Sequence, residues 1–282
     1  MNKLSSFIIA LALAAIVAGV YLWQRDHATA PEQVQQQPAD APIVADVPPE
    51  EREPGPEIRY PIEAVTPSEP VAETTDISVA ITGLLGREAV LKFMQLGDFP
   101  RRVVGTVDNL ARSHAAPMLW PVNPTPGKFT VQSRADIQEI AASNGQRYEP
   151  FVAMVQSLNT DKVVSLYVRL YPQFQGAYEE LGYPRGYFND RLVAVIDNLL
   201  GTPEPAGALP VELLEVKGDV KSERPWVRYQ YVDPELEALS AGQKIMLRVG
   251  PANRKVLKEK LTEIRRRVSG GGLSLPEAPG KR

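Results

Sequence analysis

Apolar residues recur at helical spacing from Asp76 onward. ISVAITGLLGREAVLKFMQ reads as a helical stretch with Leu84, Leu85, Val90, Leu91 and Phe93 directed to a core. DFPRRVVGTVDNLARS follows as a helix with Phe99, Val103, Val107 and Leu110 on one face. PMLWPVNPTPGKFTVQS breaks the pattern: prolines and a Pro-Gly step divide short apolar runs, which predicts strand, turn and strand. Helices resume at 134–142 and 147–158. The segment TDKVVSLYVRLYPQFQGAYEELG then carries the stripe Val163, Tyr167, Leu170, Tyr171, Phe174 and Tyr178. Thr160 or Asp161 is its expected N-cap, and Pro172 its expected kink. The next helix spans 186–200, with Phe188, Leu192, Val195, Ile196 and Leu199 inward. VELLEV and WVRYQYV read as two strands around a polar turn. Asp233-Pro234 starts a helix that runs to Gly250, and Pro251 opens the last one. The pattern therefore predicts an α+β domain, mainly α-helical, with two small β elements and no parallel βαβ alternation.

The N-terminus has a different pattern. Leu4 to Trp23 is a run of 20 residues without a charge. A helix of that length is about 30 Å long and just crosses a bilayer core. Tyr21 and Trp23 suit the far interface. Lys3 before the run favours the N-terminus in the cytoplasm and the bulk of the chain outside. Two other readings exist. Ala28-Thr29-Ala30 has the form of a signal-peptide cleavage site. A buried core helix is the third, opposed by the proline-rich stretch behind it.

Residues 24–76 contain 10 prolines, with 12 acids against 3 bases. Such a segment buries too little apolar surface to offset its ordering entropy, and reads as a disordered spacer. A proline-rich ligand for another protein is the alternative. The expected organisation is a stub at 1–3, a transmembrane helix at 4–23, the linker at 24–76, a globular domain at 77–268 and a flexible tail at 269–282. Residues 78–282 carry 27 basic and 22 acidic residues, an excess too small to point to nucleic acid. Arg265, Arg266 and Arg267 suit the end of a helix dipole; an anionic-lipid patch is their functional reading.

Candidate chemistry is sparse. The chain has no cysteine and two histidines, His27 and His114, so the usual zinc ligand set is missing. No phosphate-binding glycine loop and no nucleophile elbow occur, and no cofactor or metal is expected. Carboxylates remain: Glu179, Glu180, Asp190 and Asp197 flank an aromatic corner, as a hydrolase acting on cell-wall glycan would require. The corner itself, LGYPRGYFNDR at 181–191, has two readings. It is a helix-to-helix turn, with Asn189 and Asp190 serving the first free N–H groups. Or it is a groove in which Arg185, Tyr187, Asn189, Asp190 and Arg191 bind a polar ligand.

FPRRVVGTVDNL at 99–110 also echoes FNDRLVAVIDNL at 188–199, with six of twelve positions identical. Two related helices packed by a pseudo-two-fold would let Arg102 meet Asp197 while Arg191 meets Asp108.

GYPRGYFNDRLVAVIDNLLGTPEPAG and YVDPELEALSAGQKIMLRVGPANRKVLKEKL, with GREAVLKFM, RRVVGTVDNLARS and YEPFVAMV upstream, resemble the bacterial family catalogued as domain of unknown function 3014. The resemblance covers roughly 78–268. It implies a bacterial envelope protein with an N-terminal membrane span and supplies no catalytic residues. The expected protein is thus a single-pass inner-membrane protein that meets the bilayer through Leu4–Trp23. It presents a periplasmic binding or scaffolding domain to an envelope protein or the cell wall.

Overall fold

The computed structural model describes residues 56–62, 76–214 and 224–270. The apolar run 4–23, most of the linker, the turn at 215–223 and the tail beyond 270 lie outside the described residues. Among those described, no helix is long and apolar enough to cross a membrane.

The domain is mainly helical. The helices are α1 (Ile77–Leu85), α2 (Arg87–Phe93), α3 (Phe99–Leu110), α4 (Ser143–Gln146), α5 (Glu149–Ser157), α6 (Thr160–Glu180), α7 (Phe188–Leu200), α8 (Pro234–Glu237), α9 (Ala241–Arg248) and α10 (Pro251–Val268). Two antiparallel hairpins join them: β1 (Val131–Arg134) with β2 (Ile137–Ile140), and β3 (Val211–Leu213) with β4 (Tyr229–Tyr231). This is the expected α+β class.

The long α6 organises the core. Asn159, one residue before the expected caps, accepts the Lys162 N–H at 3.0 Å and starts it. The helix continues through Pro172, which is exposed. Leu170, Tyr171, Phe174 and Tyr178 are buried on its inner face. They pack with Val104 of α3, with Phe188, Val193 and Ile196 of α7, and with Val268 at the end of α10. Phe188 is fully buried, a gain of about 1.5–3 kcal/mol for a side chain of this size.

Several local expectations are corrected. The helical stretch after Asp76 is two helices, because Gly86 turns to φ 82° between them; Asp76 caps the first by accepting the Ser78 N–H at 2.8 Å. Leu91 faces solvent, being 71 % exposed. The helix expected at 134–142 is instead the turn and second strand of a hairpin. Ala135 and Asp136 both take positive φ, which gives the twist that joins β1 to β2. In the preceding proline segment, Pro117–Leu119 is a single 3-10 turn, and Val122 forms only a bridge with Met94. The helix expected from Asp233 to Gly250 is divided. Ser240 and Gln243 form a reciprocal capping box that restarts the chain as α9.

The two hairpins meet through a Glu139–Pro210 bridge, and the Ile140 N–H donates to the Leu209 carbonyl at 2.9 Å. Beneath them Val211, Tyr231 and Leu247 form a second small core.

Candidate functional site

The LGYPRGYFNDR corner connects α6 to α7. Gly182 takes φ 112°, and Tyr183 folds back so that its ring stacks on Tyr178 at 4.5 Å between centroids. A side chain on Gly186 would come within 2.8 Å of the Tyr178 ring, so this turn fits only glycine without movement. The start of α7 is not capped by Asn189 or Asp190. Gln175 of α6 does this from across the corner: its Oε1 accepts the Phe188 N–H at 2.9 Å, and its Nε2 donates to the Gly186 carbonyl at 2.8 Å.

Asn189 and Asp190 instead hold residues 56–62, a piece of the stretch read as linker. The two Asp190 oxygens accept the N–H groups of Arg59 at 3.0 Å and Tyr60 at 2.8 Å. The Tyr187 hydroxyl accepts the Ile62 N–H at 2.7 Å. Asn189, which is fully buried, donates to the Tyr60 carbonyl at 2.8 Å and to the Val268 carbonyl at 2.9 Å. It also accepts the Tyr167 hydroxyl at 3.1 Å. Ile62 is buried in the main core. Residues 56–62 therefore depart from the disordered reading. Composition marks them as polar and proline-rich, but four main-chain groups find partners and one isoleucine finds the core.

Arg191 points the other way. Its Nε donates to Asp108 at 3.0 Å and its Nη2 to the Asp108 carbonyl at 2.8 Å. Asp108 is buried, and also accepts Arg112 at 2.5 Å. The reciprocal pair is absent: Arg102 donates to the carbonyls of Gly97, Met118 and Trp120, and Asp197 pairs with Arg265 of α10. The α3 and α7 helices thus share a sequence pattern without sharing partners, because α3 faces the 3-10 turn where α7 faces α10. Arg185 is exposed and makes no ion pair among the described residues.

Burial raises the pKa of Tyr167, Tyr171 and Tyr178 around this corner; for Tyr167 and Tyr171 nearby tyrosines add to it. Phenols so placed act as neutral hydrogen-bonding groups. The four candidate carboxylates are each engaged. Glu179 accepts Gln175, Glu180 accepts Arg101, Asp190 holds the 59–60 main chain and Asp197 holds Arg265. Among the described residues, no group of three His, Asp or Glu side chains is placed to hold a metal ion.

An open apolar groove that the sequence did not single out lies on another face. Phe93, Trp120, Phe151, Val152, Ile245 and Leu257 line a cavity of 510 Å³. Its residues come from α2, α3, α5, α9, α10 and the proline segment, too far apart in sequence to form a motif.

The fold and the corner define a helical α+β domain that binds a piece of its own N-terminal approach. The family model described as "Protein of unknown function (DUF3014)" matches residues 99–265, more than half of the chain, and the chain belongs to this family. The match starts at α3 and ends within α10, leaving α1, α2 and residues 56–62 outside it. No curated protein and no solved structure matches.

Proposed function

We propose that this chain is a single-pass inner-membrane protein of the bacterial envelope. Leu4–Trp23 anchors it with the N-terminus in the cytoplasm, and the helical domain works in the periplasm as a binding or scaffolding module. The observation that carries the module reading is the use made of the corner. Tyr187, Asn189, Asp190 and Arg191, four of the five residues read as a polar-ligand groove, all hold the protein's own chain. What the fold leaves open is a concave apolar groove, the usual form of a small-ligand site. The anchor reading rests on the uninterrupted apolar run and the acidic, proline-rich stretch behind it.

Protease added to spheroplasts tests the topology. Digestion of the domain in spheroplasts but not in intact cells is the expected result, and full protection in spheroplasts contradicts it. The hydrolase alternative has its own test: labelled cell wall incubated with the protein is expected to stay intact.

A further inference from the structure

The apolar groove does not end at its own walls. It shares Pro124, Thr125, Arg147 and Tyr148 with a second cavity of 620 Å³. Lys128, Arg147, Arg224 and Arg248 line that second cavity, and no acid does among the described residues.

Lys128, Arg147 and Arg248 are held in ways that leave their charge in place. Lys128 lies 4.4 Å from the Trp226 ring centroid, and Arg248 lies 5.8 Å from the Phe129 and 5.6 Å from the Tyr231 ring centroid. Arg147 donates to the Pro126 and Gly127 carbonyls and to Asn144, itself fully buried. Lys128, Arg147 and Arg248 make no ion pair with a carboxylate among the described residues. Arg248 Nη2 donates to the Tyr229 carbonyl, whereas its buried Nε has no acceptor among the described residues. A buried donor without an acceptor destabilises unless a ligand or water meets it. Ring faces attract cations without neutralising them, so the field of this pocket favours an anion.

The groove wall is mainly apolar, with Lys92 and Arg147 its charged members. Its Thr106 hydroxyl is engaged by the Leu119 carbonyl, and its Asn123 amide by the Lys92 carbonyl. The Trp120 indole N–H is a lone buried donor without an acceptor among the described residues in this wall. A peptide added as a strand needs alternating donors and acceptors, which these side chains do not present. A hydrocarbon chain needs none.

We infer that the two cavities form one binding site for an anionic amphiphile, with its apolar chain in the 510 Å³ groove and its carboxylate or phosphate head between Lys128 and Arg248. This deepens the binding-module reading and rests on it.

The test uses quenching by brominated lipids of the site's two tryptophans, Trp120 in the groove and Trp226 beside Lys128. The full chain carrying Trp23→Phe is placed in phosphatidylcholine nanodiscs, which removes the tryptophan of the apolar run. Dibromostearate, its methyl ester and a brominated lysophosphatidic acid are titrated, with inorganic phosphate as the head-only control. Saturable quenching by at least one of the two anionic lipids is expected, with the methyl ester about tenfold weaker. Whichever anionic lipid binds more tightly identifies the source of the head group. Lys128 is exposed, and Lys128→Glu is expected to weaken binding about tenfold with the fold intact by circular dichroism. Leu257→Phe, which narrows the groove, is expected to weaken all three lipids alike. Absence of saturable quenching, or equal binding of acid and ester with no effect of Lys128→Glu, would overturn the inference. The protease topology result would stand independently of that failure.

Discussion

Arg191 Nη2 lies 3.0 Å from the buried Asp108 carboxylate, joining α7 to α3 across 83 positions of sequence. The Asp108 side chain is 4 % exposed and that of Arg191 28 %. Arg112 and the Tyr183 hydroxyl complete the cluster. Charges placed this way are destabilising singly and tolerated together. Asp108→Ala leaves Arg191 unpaired, and is expected to cost about 3 kcal/mol, the low end for a buried pair, since Arg191 is partly exposed. For a domain near 200 residues this lowers the melting temperature by roughly 6–12 °C. Arg191→Met should cost less, because Asp108 keeps Arg112 and Tyr183.

Asn189 joins three segments through one amide. Asn189→Ala would strand the carbonyls of Tyr60 and Val268 and the Tyr167 hydroxyl. Each unmet buried group costs about 1–3 kcal/mol, though water entry makes the sum less than additive. A loss of at least about 3 kcal/mol in denaturant unfolding is expected. A change below about 1 kcal/mol would mean that this region is already hydrated.

Two glycines should respond in opposite directions. At Gly242 an added Cβ would lie 2.5 Å from Leu199 Cδ2 and 2.9 Å from the Leu110 carbonyl oxygen. The side chain could move but the backbone could not, so Gly242→Ala should destabilise by about 1–3 kcal/mol. Gly176 lies inside α6 with nothing within 4 Å of its added Cβ. Gly176→Ala should stabilise by up to about 1 kcal/mol through lower unfolded-state entropy. Paired thermal melts check both.

Stability should be flat at neutral pH and fall on each side. Thr160 and Lys260 hold Glu263 below its ordinary 4.5, and Lys258 holds Glu204 below the same value. Burial opposes ionisation of Glu237, but Lys244 and the Tyr231 N–H more than offset it. Depressed carboxylates contribute above their unfolded pKa, and that contribution is lost as pH falls below about 4.5. On the alkaline side, burial pushes Tyr231 from 10.0 to about 12 and raises Tyr171 as well. Folding favours the neutral phenol, so its contribution is complete below pH 10 and is lost as pH climbs to about 12. Melting temperature against pH should show both edges.

The helices were legible where one face repeats over several turns, as in α6 and α7. Of the short elements, β3 and β4 fall inside VELLEV and WVRYQYV as expected, but the pairing of β1 with β2 was missed. The β1–β2 hairpin is four residues a side, and its turn is Ala135-Asp136, which lacks the glycine that advertises such a turn. The α8–α9 break was readable in principle from Ser240 and Gln243, a capping pair at the right spacing. Arg191 and Asp108 meet although 83 positions separate them; Arg102 and Asp197 do not, since sequence echo carries no information about neighbours. The corner was visible as a dense cluster, but its partner was hidden by composition. Residues 56–62 look like the linker around them, and only Ile62 hints at burial. The groove could not be read at all, because its walls come from six separated elements.

The most direct measurement is hydrogen exchange over residues 56–62 in the full chain, compared with Asp190→Asn and Tyr187→Phe. Asp190 accepts two N–H groups with its two oxygens, and an asparagine amide would turn a donor toward one of them. Tyr187→Phe removes the acceptor of the Ile62 N–H. Slow exchange at Arg59, Tyr60 and Ile62 in the parent is predicted, with Arg59 and Tyr60 released in the first variant and Ile62 in the second. Exchange at the rate of an unprotected chain in the parent would contradict a corner built to hold its own N-terminal approach.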